Sequence, residues 1–203
     1  MQLASRRFTR PVVAFLVLFA FALGAPVSQA EEPDQSVVLV AKPEFQDALY
    51  GSAILLAKPM PDGSSVGFIL NKPTKFKLSE VFPQHGPSLK VADPVFLGGP
   101  FGINLVFALV ESSESPGAGA IQIAPSLFLA VQSNTVDHII ETDPEHARFL
   151  VGMVVWQPGE LSAEMKRGLW YEMKPDAAVL LRKRTEGLWE ELVQRSEQIA
   201  NAI

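Results

Sequence analysis

The chain has 203 residues, a formal net charge of −5 and no cysteine. The absence of cysteine excludes disulfides, thiolate metal sites, cysteine nucleophiles and a cysteine-linked lipid anchor. An acidic chain without a basic stripe is a poor partner for nucleic acid, because phosphates are bound through clustered lysine and arginine.

The N-terminus has the pattern of a secretory signal. Three arginines lie between residues 6 and 10, and an apolar run from Val12 to Leu23 follows them. Ser28 and Ala30 are the small residues that a signal peptidase needs, which predicts cleavage after Ala30. A spanning helix needs about 20 apolar residues, more than this run offers. We expect residues 1–30 to be removed, by the general or the twin-arginine route, leaving no stable membrane anchor.

Short strands and turns are predicted for the first half of the remaining chain. The Asp62-Gly63 pair favours a tight turn, because glycine tolerates positive φ, and this predicts a β-hairpin from Ser52 to Asn71. One helical turn is predicted at 78–82, before a proline-rich loop. The predicted strands are 37–41, 52–57, 66–70, 95–97 and 105–110.

Helices gather in the second half. Asn134 is predicted to cap a short helix, and Asp143 a second one with Pro144 at its first position. The almost continuously apolar run Phe149–Trp156 predicts a strand buried on both faces. Many strands, with the helices gathered toward the C-terminal end of the chain, predict an α+β domain spanning residues 31–203. The other predicted elements are strands at 121–123, 127–131 and 169–173, and helices at 158–167 and 186–202.

The stretch VFLGGPFG places a glycine corner directly after a strand. Backbone amides of Gly98 and Gly99 could form an anion nest, with Lys72 supplying charge. A phosphate loop of the Walker kind needs Gly-Lys-Ser/Thr leading into a helix, whereas this corner leads into another strand and Pro100 removes one donor. A structural corner is favoured, and contact with a ligand is the alternative.

No catalytic or metal constellation has a diagnostic spacing. The trio His138, Glu141 and His146 does not match a zinc-protease motif, and the third histidine, His85, lies far away in sequence. The G-x-S-x-G match at residues 63–67 lacks the strand-before and helix-after context of a nucleophile elbow. We therefore predict no cofactor, no metal and no catalytic residues.

Three carboxylates are the basis for an alternative function, hydrolysis. Glu160 and Glu164 lie four residues apart on a predicted helix, where they could share a proton or hold a cation. Acidic residues near a helix N-terminus are also favoured by its dipole alone. Asp47 is predicted to bond backbone amides at a turn. Trp156 and Trp170 lie in apolar strands and are predicted to be core residues.

Four stretches together resemble the YqgE/AlgH family of bacterial proteins: LVAKPEFQDALYGSAILL, GFILNKP, PVFLGGP and VVWQPGELSAEM. The resemblance covers about residues 38–181. It implies a compact α+β fold with a bent, partly barrel-like, mixed or antiparallel sheet flanked by helices. It implies no established activity, and relatives are typically cytosolic, although one member was named as a transcriptional regulator.

Several polar positions of that family are apolar in this chain. After GGP, relatives typically carry an Arg-Gly-Phe run and then a histidine. Relatives also have glutamine where this chain has Glu160. The positions of the run and the histidine are occupied here by Leu105, Val106, Phe107 and Val110.

We predict a non-catalytic binding or scaffolding domain in the cell envelope, periplasmic or secreted, with a small molecule or protein as partner. Its candidate site is the cleft where NKP, GGP and WQPGEL would meet. The alternative is a carboxylate- or metal-assisted hydrolase using Asp47, Glu160 or Glu164. Charge and export disfavour a DNA-binding regulator. The candidate ligand-contacting residues are Asn71, Lys72, Gly98, Gly99 and Glu160.

Overall fold

A computed structural model describes residues 35–201, in which ten strands form one sheet. The predicted signal and its cleavage position lie outside the described residues. No helix among residues 35–201 is long and apolar enough to cross a membrane.

The elements follow the predicted order. The strands are β1 (Val37–Ala41), β2 (Ile54–Pro59), β3 (Ser65–Ile69), β4 (Pro73–Lys77), β5 (Pro94–Leu97), β6 (Phe101–Glu111), β7 (Ala120–Ala124), β8 (Leu127–Ala130), β9 (Ala147–Trp156) and β10 (Trp170–Met173). The α-helices are α1 (Leu78–Val81), α2 (Ser133–Thr142), α3 (Glu160–Lys166), α4 (Ala177–Leu180) and α5 (Leu188–Asn201), and two short 3₁₀ helices span Gly86–Lys90 and Pro144–His146.

The sheet is a curled half-barrel with the order β10-β1-β2-β3-β9-β6-β8-β7. These neighbours are antiparallel, whereas β5 pairs in parallel with β9 and carries β4 on its other side. Strands β10 and β7 are the two ends of this order, and the α+β class predicted from the sequence is confirmed.

Alternating side chains pack on opposite faces of the sheet. Val38 of β1 belongs to the core cluster on the concave face, together with Leu192 of α5. Its neighbour Leu39 belongs to a cluster on the outer face, against which Leu161 of α3 packs. A third cluster joins Phe149 of β9 to helix α2. The sheet is therefore buried on both faces, as predicted for β9.

Strand β9 reverses its faces at Gly152. Leu150 lies in the concave cluster, whereas Val154 lies in the outer cluster. Positions four residues apart in a regular strand face the same side, so the chain must break its alternation between them. Gly152 does this with a φ of 71°, a conformation that side-chain-bearing residues rarely adopt.

The reversal coincides with a backbone-to-backbone contact at the glycine corner. The amide of Gly98 donates to the carbonyl of Val151 at 2.8 Å. A Cβ on Gly98 would overlap the carbonyl oxygen of Gly152, and a Cβ on Gly99 would overlap the backbone of Met153. A Cβ on Gly152 would in turn overlap the carbonyl oxygen of Gly99. These contacts support the structural-corner interpretation, while contact with a ligand there stays a prediction.

The predicted hairpin is confirmed, since β2 and β3 pair in antiparallel register and Gly63 between them has a φ of 80°. The two capping predictions had different outcomes, since the one for Asn134 was wrong and the one for Asp143 is confirmed in position. Helix α2 begins at Ser133, with Gln132 at its N-cap and no side-chain cap, because the preceding strand β8 ends early enough for the helix to start before Asn134. Asp143 is the N-cap residue of the 3₁₀ helix, with Pro144 at its first position as predicted, although its carboxylate bonds His146 instead of a backbone amide.

Strand β4 was not predicted from the sequence. Its residues PTKFK are mostly exposed, so they show no alternation of apolar and polar side chains. Pairing with β5, and the bond from Thr74 Oγ1 to the Val95 carbonyl at 2.7 Å, place this segment in the sheet.

Replacing Gly152 tests the contact at the corner. Gly152→Ala should lower the free energy of unfolding by about 2–4 kcal/mol, since the new Cβ adds a clash to an unfavourable φ. Gly159→Ala is the matched control, because Gly159 has a φ of 80° with open space around it and should lose only about 1 kcal/mol. Urea unfolding of both variants measures the difference, and equal losses would contradict the clash.

Candidate functional site

The NKP segment is tied into the sheet by its own polar groups. The Oδ1 of Asn71 accepts from the Ile54 amide at 2.9 Å, and its Nδ2 donates to the Ser52 carbonyl at 2.8 Å. The carbonyl of Lys72 accepts from the Leu97 amide at 2.9 Å. The predicted site residues Asn71 and Lys72 therefore lie beside the start of the glycine corner, with the Asn71 amide engaged inside the protein.

The glycine corner approaches the WQPGEL segment through Phe101. This residue and Glu160 line one pocket of about 310 Å³ at the start of α3. We call it the aromatic pocket, and its lining includes Tyr50, Phe101, Trp156, Trp170, Glu160 and Glu164. Of the predicted site residues, Glu160 lines this pocket, whereas Asn71, Lys72, Gly98 and Gly99 are not among its lining residues.

Both glutamates of the aromatic pocket have an internal partner. One oxygen of Glu160, Oε2, accepts from the Gln157 amide at 2.9 Å, which closes the turn before α3. The Oε2 of Glu164 accepts from the indole nitrogen of Trp170 at 3.1 Å. Trp156 and Trp170 are 3% and 5% exposed, so their prediction as core residues is confirmed.

Asp47 has the structural role predicted for it. Its Oδ1 accepts from the amides of Leu49 and Tyr50 at 2.8 Å and 2.7 Å. Two backbone donors fix this carboxylate in the turn before β2.

The histidines are distributed over separate contacts. His85 bonds Ser88 Oγ at 2.8 Å through Nδ1, and its Nε2 lies 3.6 Å from Oε1 of Glu141. His146 bonds Asp143 at 2.6 Å. Glu141 thus faces His85 instead of the two histidines nearest in sequence. Within residues 35–201, no three histidine, aspartate or glutamate side chains are grouped as metal ligands.

One buried charge was missed in the sequence. Arg148 of β9 is 4% exposed, and its guanidinium donates to the carbonyls of Leu70 and Arg182. Its Cζ lies 4.3 Å from the ring centre of Phe96. Burial lowers the pKa of Arg148 to about 10, against the opposing charge of Asp93, so the group stays cationic at neutral pH. A single arginine inside the apolar run of β9 is the signal that could have identified it.

A large concave surface lies beside the C-terminal helix. It has a volume of about 840 Å³ and is bounded by the end of β10, the turn between β7 and β8, helix α4 and helix α5. We call it the α5 groove. Because β10 and β7 are the two ends of the sheet order, the groove occupies the open seam of the half-barrel.

Apolar side chains from both helices form much of this groove. Leu180 of α4 and Leu192 of α5 are buried beneath it, whereas Ile199 of α5 is 53% exposed at its margin. The sequence places Leu188, Leu192 and Ile199 along one face of the terminal helix, and that pattern alone predicts burial for all three. The exposure of Ile199 is the feature that the sequence did not reveal.

The rim of the α5 groove carries charges of both signs. Asp176 caps α4 by accepting from the Ala178 amide at 3.0 Å. Glu172, Lys174 and Arg195 also line the groove, and none of their side chains makes a hydrogen bond with the described residues. Their charged ends are available to a molecule in the groove.

The model of the AlgH-like family (DUF179) matches residues 38–200. A UPF0301 protein of Chlamydia muridarum is 30% identical over 165 residues, which cover 79% of this chain and 85% of the relative. A UPF0301 protein of Chlorobaculum tepidum is 27% identical over 160 residues, covering 77% of this chain and 83% of the relative. Neither the family description nor these names indicate a catalytic function.

Solved structures share the fold. The solution structure of the AlgH protein from Pseudomonas aeruginosa superimposes with a TM-score of 0.66 at 20% identity, covering 80% of this chain and 87% of that one. A crystal structure of a Corynebacterium diphtheriae protein gives 0.66 at 18% identity, with 81% and 87% covered. The agreement of the curled sheet, the family match and the relatives leads to one conclusion: the chain belongs to the AlgH-like family.

Proposed function

We propose that this protein is a non-catalytic binding domain of the cell envelope and that the α5 groove holds its ligand. The observation that carries the proposal is the groove itself, whose volume of about 840 Å³ falls in the range of roughly 300–1,000 Å³ typical of ligand sites. It is the open seam of the half-barrel, so a ligand could enter without unfolding a strand.

The chemistry of the groove favours an amphipathic ligand. Met173, Val179 and Ile199 offer apolar surface to the body of such a molecule. Lys174 and Arg195 offer cationic groups to an anionic substituent, while Glu172 adds a carboxylate at the rim. A small molecule or a peptide segment with an apolar body and a charged end meets these requirements.

The contacts of the carboxylates support binding over hydrolysis. Asp47 is held by two backbone amides, and Glu160 and Glu164 each have one oxygen bonded inside the protein. A general acid or base needs a pKa matched to its task and a nucleophile or water within hydrogen-bond reach. The hydrolase remains the second candidate function, because Glu160 and Glu164 line the same pocket.

Export is part of the same proposal. The arginine-led apolar run with small residues at 28 and 30 supports it. An exported domain meets envelope metabolites and peptides instead of the chromosome, which also argues against a regulator of transcription.

A charge placed at the groove margin tests the binding site. Ile199→Asp should weaken binding of anilinonaphthalene sulfonate, an apolar probe with one anionic group, by at least tenfold, because the new carboxylate repels the probe and removes apolar surface. Fluorescence titration measures the affinity. Leu89→Asp is the control, since Leu89 is 77% exposed outside the groove. Equal losses in both variants would contradict a site in the groove.

A substrate screen separates binding from hydrolysis. We expect envelope metabolites and peptides to raise the melting temperature of the mature protein without being converted. Turnover that disappears in a folded Glu160→Ala variant would contradict the binding proposal and favour the hydrolase.

Fractionation of cells tests export. We expect the protein in the periplasm or medium with Glu31 as its first residue, because Ala30 lies at the predicted cleavage position. N-terminal sequencing of each fraction measures this. An intact Met1 on cytosolic protein would show that the signal is not used.

A further inference from the structure

The aromatic pocket combines ring surfaces with negative charge. Four aromatic residues line it, namely Tyr50, Phe101, Trp156 and Trp170, and no lysine, arginine or histidine does. Its two ionisable acids are Glu160 and Glu164. The pocket lies at the outer cluster of the sheet, whereas the α5 groove lies at the concave cluster, so this site is independent of the proposed function.

Each glutamate keeps one oxygen for a ligand. The Oε2 atoms are bonded to Gln157 and Trp170, as described above, and neither Oε1 accepts a hydrogen bond from the described residues. The pKa of Tyr50 is raised, first by burial and then by the charges of Asp47 and Glu164. With two carboxylates and no cationic side chain in its lining, the pocket carries net negative charge.

The aromatic walls are fixed before any ligand arrives. Trp170 is held by its bond to Glu164 and by an edge contact with Phe45, whose ring centre lies 5.1 Å away. The ring of Trp156 fills the space that a Cβ on Gly67 would need. A preformed site avoids the ordering cost that a mobile one incurs on binding. Phe101, 55% exposed, forms the outer wall.

The combination selects one class of ligand. Aromatic faces carry a negative quadrupole that attracts cations, and their apolar surface accepts the alkyl groups around an ammonium centre. The described residues contain no group of three or more histidine, aspartate or glutamate side chains that could hold a metal ion. A volume of about 310 Å³ is at the lower end for ligand sites, which fits a small head group.

We propose that the aromatic pocket binds an organic cation of the alkylammonium class, such as a quaternary ammonium head group. Phe101 and Tyr50 contact its alkyl groups above a floor formed by the buried Trp156 and Trp170, and Glu160 and Glu164 balance its charge.

Choline and its uncharged isostere 3,3-dimethyl-1-butanol test this directly. Calorimetric or NMR titration of the folded protein should give at least tenfold tighter binding of choline, because the two differ in charge and hardly in shape. Added salt should weaken the binding of choline but not that of the uncharged alcohol. Equal affinities, or no binding of choline, would overturn the proposal.

Variants locate the binding. Glu160→Gln and Phe101→Ala should each weaken choline binding several-fold, and both positions are exposed enough for the protein to stay folded, which circular dichroism checks. Glu172→Gln removes the same charge in the α5 groove and should leave choline affinity unchanged. Ile199→Asp should also leave choline affinity unchanged. A wrong assignment of the aromatic pocket is therefore distinguishable from a wrong assignment of the α5 groove. Loss of affinity in Glu172→Gln but not in Glu160→Gln would overturn the assignment.

Discussion

The close approach of two backbone segments, Gly98-Gly99 and Gly152-Met153, is the contact on which the rest of the sheet depends. Strand β9 pairs with β5 before Gly152 and with β3 after it, while β6 pairs along its other side. The segments come so close that no Cβ fits between them. Because of this contact, β9 can pair first with β5 and then with β3 on the same side, and the sheet curls into a half-barrel.

Both candidate sites follow from this geometry. After the reversal at Gly152, Trp156 faces outward, where it becomes a wall of the aromatic pocket. Before it, Leu150 faces the concave cluster that α5 covers. The curl leaves β7 and β10 at the two ends of the sheet order, each paired with a strand on one side only, and the α5 groove occupies that seam. Two surfaces of different chemistry therefore arise from one sheet.

Arg148 makes the concave interior dependent on a buried charge. Its guanidinium bonds two carbonyls from distant parts of the chain, those of Leu70 and Arg182, and lies over the ring of Phe96. A buried cation costs desolvation free energy unless its hydrogen bonds are made, so these three segments must be placed together. The segment before α5 is thereby joined to the hairpin and to β5, which positions the helix beside the groove.

By itself the sequence determined most of the elements, though not β4 or α4, and it determined the α+β class and the family, because apolar runs, the Asp62-Gly63 turn and the glycine corner are local signals. It also indicated the backbone role of Asp47 and the burial of Trp156 and Trp170. Only the tertiary structure decided that the polar strand β4 joins the sheet, that Arg148 is buried and that Ile199 stays exposed. The physical reason is that strand pairing and side-chain burial depend on contacts between residues far apart in the chain. A local sequence pattern does not encode which distant segment will pack against it.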